Sequence, residues 1–276
     1  MNDDSSQRGE ILGWLRSKDD RGRAFEALER LSAAQRSLRI DPSVATELAR
    51  MLDDPSRTRQ REVADLLRRW VASAPALEQA LRTALAALEP RLRWGAAYTL
   101  GHALPSPPTE LWPIVRETLA LEDGDQRWAA AELACSLARA HRSVRDEILA
   151  AVDSGSASVR RMLLYCLRDL GDEDLAGVAR RRLADEDPGV RLAALSAATR
   201  CPPGAPADLG EEISRLVGED PDPGVRRAAA VALSRLADPP AQARQVLEGA
   251  ARSTDEAMVR AARAGLARLD AAERPN

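Results

Sequence analysis

Aromatic side chains are scarce in this sequence and unevenly placed. The chain of 276 residues has five tryptophans, two tyrosines and one phenylalanine. Trp94 and Tyr98 stand four residues apart, as do Trp128 and Glu132, and Arg161 and Tyr165. A spacing of four returns to the same face after one helical turn, so each pair forms one patch if its segment is a helix. Tyr, Trp and Arg dominate binding hot spots, and a large aromatic on a solvated face is costly unless it meets something. The chemistry that suits these six residues is therefore contact with a partner, and Glu132 is the one acid among them.

Other reactive groups give less. His102 and His141 are the only histidines, and the cysteines are Cys135, Cys166 and Cys201. His102 and Cys135 lack the paired spacing of a metal site, and no metal or other cofactor is expected. No glycine-rich phosphate loop, Ser-His-Asp arrangement or nucleophile elbow is visible, so the sequence reads as non-enzymatic. Three cysteines embedded in helical pattern suit small buried thiols of a reducing compartment. Residues 1–10 are polar and acidic, unlike a signal peptide, and no segment reaches the roughly 20 apolar residues of a membrane span. A cytoplasmic protein is the expectation. The net charge of −3 disfavours nucleic acid as a partner. Lys18 is the only lysine, a bias that suits a GC-rich genome better than a phosphate-binding role.

Positioning these residues falls to a repeat. The clearest copies are Asp222-Pro223-Gly224-Val225-Arg226, Asp187-Pro188-Gly189-Val190-Arg191 and Ser156-Ala157-Ser158-Val159-Arg160. Anchored on the arginine, eight copies fall at Arg23, Arg59, Arg93, Arg127, Arg160, Arg191, Arg226 and Arg260, 31 to 36 residues apart. Four residues before the arginine stands Asp19, Glu89, Asp123, Asp187, Asp222 or Glu256, with Pro55 and Ser156 in the other two copies. Asp and Ser there suit a helix N-cap, and Glu suits the positive end of the helix dipole. Asp54-Pro55 sits one residue early, so that turn is expected to differ. Ala and Leu follow the arginine at helical spacing and mark a buried face. Upstream of each turn lies a second amphipathic segment: Asp41-Pro42 opens one, Thr109 suits the cap of another, and Ser143 to Asp146 looks like a capping box. Helix, turn, helix is thus the unit, and units this short must stack on neighbours.

The run Leu216 to Leu236 resembles the second half of a HEAT repeat, of the bacterial kind also found in phycobilin lyases, and Pro113 fits that family's helix-A proline. The resemblance implies an all-α, right-handed α-solenoid of about eight helical-hairpin repeats over residues 9–270, with flexible ends at 1–8 and 271–276. It also implies that the second helices line a concave face. A helical wheel then turns the first and fifth residues after each arginine away from the core. These are Trp94 and Tyr98, Trp128 and Glu132, and Arg161 and Tyr165; elsewhere they are mostly small, as at Ala24, Ala64, Ala261 and Gly265.

The function this implies is a protein- or peptide-binding scaffold using Trp94, Tyr98, Trp128, Glu132, Arg161 and Tyr165. A weaker similarity to HEAT-like alkylpurine DNA glycosylases would give Trp128 a base to stack on, Glu132 a cationic sugar to stabilise, and Arg161 the backbone to hold. Similarity to bilin lyases carries no chromophore site. The repeated arginine is expected to pair with turn acids such as Asp187 and Asp222. Trp14, Trp70 and Trp112 are read as packing residues, the cluster Arg57, Arg59, Arg61, Arg68 and Arg69 as a solvated face. The proline-rich stretches Leu104–Pro108 and Cys201–Pro206 are read as rigid turns.

Overall fold

The computed structural model describes residues 40–272, together with Gly13 and Glu26. The Arg23 copy, with Asp19, Ala24 and Trp14, lies outside them, as do residues 1–8 and 273–276. The described residues contain no strand, and no described helix is long and apolar enough to cross a membrane. They fall into two compact units, one ending at Thr118 and one beginning at Leu119.

In the first unit α1 (Pro42–Arg50) pairs through a short 3-10 turn, Met51–Asp53, with α2 (Arg57–Val71), and α3 (Pro75–Ala84) pairs with α4 (Pro90–Ala103). First helix stacks on first helix, α1 on α3, and second on second, α2 on α4. Helix α5 (Trp112–Leu119) reaches the boundary residue of the second unit. That unit continues with α6 (Gly124–Ala140), α7 (Arg142–Ser154), α8 (Ala157–Leu170), α9 (Leu175–Arg182) and α10 (Pro188–Ala198). It ends with α11 (Ala207–Glu219), α12 (Pro223–Leu233), α13 (Ala243–Ala250) and α14 (Glu256–Ala272). Here the second helices α6, α8, α10, α12 and α14 pack in succession as one layer. Ala271 and Ala272 therefore belong to the last helix, not to a loose tail.

Local chemistry sets the helix starts. Asp41, Asp123, Asp187 and Asp222, with Ser56 and Ser156, each accept a backbone N–H through the side chain, a contact that contributes about 1 kcal/mol. The glutamates do not cap, and the expectations for Thr109 and Ser143 need correcting. Glu89 makes no side-chain capping bond, since its longer chain reaches the first-turn amides poorly. In the last repeat Asp255, one residue before Glu256, receives the amides of Ala257 and Met258. Thr109 opens a 3-10 turn, Thr109–Leu111, with no side-chain cap. Ser143 lies inside the first turn of α7, which starts at Arg142 after His141, so no capping box forms there.

The repeated arginines form a ladder, but with different acids. Asp187 and Asp222 are spent on their own caps, receiving the amides of Val190 and Val225. The cross-repeat partner is the aspartate two residues earlier. Arg160 donates to Asp185 at 2.9 and 2.7 Å, and Arg191 donates to Asp220 at 2.8 and 2.9 Å. Several of the arginines also hold their own turns: Arg191 Nη1 reaches the carbonyls of Asp185 and Glu186, Arg226 those of Asp220 and Pro221, and Arg93 those of Ala87 and Leu88. Burial would push the Asp185 carboxyl up, but the Arg160 guanidinium and the Asp187 amide outweigh it and hold it below the ordinary carboxylate value. Asp185 in turn raises Arg160.

The core between the layers is Ala, Leu and Val with few aromatics, for example Leu100, Ala130, Leu163, Ala194 and Leu233. Small residues let helices approach closely. A Cβ on Gly95 would stand 2.7 Å from Leu52 Cβ and 3.3 Å from Gln60 Nε2. Gln60 is itself buried and donates to the carbonyls of Leu52 and Arg91, tying α2 to both neighbours. The Cys201–Pro206 stretch is a fixed turn. Gly204 takes a left-handed φ of 82° and donates its N–H to Asp238 Oδ2 at 2.7 Å.

Candidate functional site

The structure divides the six expected residues between the two units. In the first, Trp94 and Tyr98 lie on α4 with ring centroids 5.9 Å apart. Trp94 is only 8% exposed, which corrects its placement on an outward face. The cause is the close seat of α4 on Leu52 and Gln60, permitted by Gly95, which buries residues 94–97 together. Gln60 and Ala64 on α2 are buried for the same reason. Tyr98 is half-buried, meets His102 at a tilt with ring centroids 4.4 Å apart, and has the Arg61 guanidinium 6.0 Å over its ring.

In the second unit Trp128, Glu132, Arg161 and Tyr165 keep exposed surface as the wheel expects, whereas Gly265 is buried. Trp128 on α6 is 49% exposed and stacks on Tyr165 of α8, with centroids 5.3 Å apart and planes 24° from parallel. The Arg168 guanidinium lies 5.0 Å over Tyr165 and donates to Ser196 of α10 at 2.9 Å. Two successive second helices thus supply an indole, a phenol and a guanidinium, and the third, α10, supplies the Ser196 hydroxyl. Glu132 is exposed one turn beyond Trp128, and Arg161 is half-buried one turn before Tyr165. Arg161 Nη1 lies at the start of α10, where it would be 3.1 Å from a Cβ on Gly189.

Arg168 and Arg61 were not expected in this role. Arg168 follows Tyr165 by three residues, a spacing that shares a helical face and could have identified it. Arg61 was assigned with its basic neighbours to a solvated face, and nothing local ties it to Tyr98 on another helix. Between α6 and α8 the Cys135 Sγ–H points at the Cys166 carbonyl oxygen, 3.6 Å away. The contact with Cys135, and then burial, hold the Cys166 thiol above its ordinary value. Burial also raises Cys201. All three cysteines are free and buried. Trp112 is buried as expected, and its indole N–H has no partner among the described residues.

With this geometry in view, residues 182–267 match the family model described as HEAT repeats. This stretch is a run of HEAT repeats. The HEAT-like fold extends well beyond it. Escherichia coli YibA is 17% identical, over 82% of this chain and 84% of its own, with a TM-score of 0.52. The archaeal HEAT-like repeats protein of Thermococcus onnurineus NA1 is 13% identical, over 82% of this chain and 97% of its own, with a TM-score of 0.50. The karyopherin Kap121p is 14% identical over 94% of this chain, with a TM-score of 0.57, but the match spans 33% of Kap121p. At such identities the likeness shows the fold, a HEAT-like helical solenoid, and nothing finer. No curated protein matches the chain in sequence.

Proposed function

We propose that this protein is a non-catalytic scaffold whose second-helix layer binds a protein or peptide over Trp128. The observation that carries the reading is the half-exposed indole of Trp128, held by Tyr165 beneath it and by Arg168 beyond. Stacking fixes the indole before any partner arrives, which lowers the ordering cost of binding. Trp, Tyr and Arg are also the residue types on which interface energy concentrates. Kap121p, which shares this fold and was solved bound to the extreme C-terminus of the protein phosphatase Cdc14p, supports the reading. The test is retention of partners from a native extract by the wild-type chain and by Trp128→Ala, with proteins quantified by mass spectrometry. The reading expects at least one protein to be lost selectively from Trp128→Ala. Equal retention of every captured protein by both forms rejects it.

A further inference from the structure

Resting on that reading, we infer that the Trp128 face selects a peptide segment of both charges, with a basic side chain for Glu132 and a carboxylate for Arg161 flanking an apolar residue that lies on the indole. Charged side chains on the neighbouring second helices are mostly engaged. Arg160 holds Asp185, Arg168 holds Asp169 and Ser196, Arg191 holds Asp220, and Arg227 holds Asp255. Among the described residues Glu132 and Arg161 are exceptions. The carboxylate of Glu132 and the guanidinium of Arg161 form no ion pair or hydrogen bond, with each other or with any other described residue.

Their separation follows from register. Helices α6 and α8 occupy the same place in successive hairpins and run in the same direction. Trp128 and Arg161 are each the first residue after the repeat arginine; Glu132 and Tyr165 are each the fifth. The four side chains stand at the corners of a parallelogram. The Trp128–Tyr165 stack spans one diagonal, so acid and guanidinium occupy the other two corners with an aromatic bridge between them. Arg161 reaches toward the start of α10, where its Nη1 and the Asp187 Oδ1 lie 3.1 and 3.0 Å from the place of a Cβ on Gly189. The bridge keeps the charges from neutralising each other.

A surface of this kind reads direction as well as composition. The guanidinium takes a carboxylate through paired N–H donors, and the indole next to a carboxylate suits an incoming arginine or lysine. Opposite charges at the two ends penalise a segment docked the wrong way round, since like charges would then meet.

The experiment pans a library of short random peptides on the full-length protein and measures enriched peptides against variants. Sequences with a basic and an acidic residue flanking an apolar one are expected. Glu132→Gln and Arg161→Gln should each weaken them about tenfold. The Glu132→Gln loss should vanish for a peptide whose basic residue is replaced by glutamine, and the Arg161→Gln loss for one whose acid is replaced. Unchanged melting temperatures show that these surface variants fold. Peptides of one charge sign, or peptides lost on Trp128→Ala but indifferent to both charge variants, overturn the two-charge inference and leave the binding face standing. Failure to enrich any Trp128-dependent peptide overturns both.

Discussion

Arg191 and Asp220 meet across a repeat boundary through two hydrogen bonds of 2.8 and 2.9 Å, with both side chains nearly enclosed. Asp222, two residues on, looks alike in sequence but caps its own helix. Asp220→Ala leaves the Arg191 charge buried without its counter-charge, and should cost about 3–5 kcal/mol. Asp222→Ala removes only a cap, at about 1 kcal/mol. Urea titrations followed by circular dichroism should rank the two in that order. Equal shifts would mean that the ladder runs through the cap residues.

Acid should act on the Arg160–Asp185 rung. The folded carboxyl of Asp185 titrates below its ordinary value, so its contribution is complete above the unfolded value of about 4. It is lost as pH falls through the lower folded value. Melting temperature measured from neutral pH down to about pH 2 should fall more gently at the acid end for Asp185→Asn than for wild type.

Close approach at Gly95 is testable by adding one methyl. A Cβ there meets Leu52 Cβ at 2.7 Å, with backbone on both sides to resist the shift. Gly95→Ala should destabilise the first unit by about 1–3 kcal/mol, read as an earlier thermal transition. A neutral result would show that α4 can ride outward.

Two tryptophans at the same repeat position should answer solvent differently. In variants that keep one tryptophan each, Trp128 fluorescence should be quenched efficiently by acrylamide, and Trp94, at 8% exposure, should resist. Trp128→Ala should cost about 2–3 kcal/mol of stability, as roughly 100 Å² of the indole is already out of water.

That contrast shows what the sequence holds and what it omits. Hairpins, turn positions and buried faces are local patterns, and the arginine spacing alone places the second helices. The ladder was legible too, since Asp185 and Asp220 sit in the same turns as Asp187 and Asp222. Which acid turns inward depends on where the neighbouring repeat puts its arginine, and spacing within one repeat is silent on that. Likewise Trp94 and Trp128 share a repeat position, yet only α4 carries the glycine that lets it settle onto Leu52 and shut its tryptophan in. Exposure was decided by a residue on one helix and its neighbour on another, outside the reach of a single helical wheel.

Dissolved salt should not loosen the hairpins evenly. The links Arg160–Asp185 and Arg191–Asp220 are sheltered, whereas Arg226 has no acid partner among the described residues and leaves the next boundary to Arg227 and Asp255. That last link is open to water on both sides, at 39% and 35% side-chain exposure, and mobile ions screen such a pair far better than an enclosed one. Raising ionic strength therefore loosens the last of these three boundaries before the two that precede it.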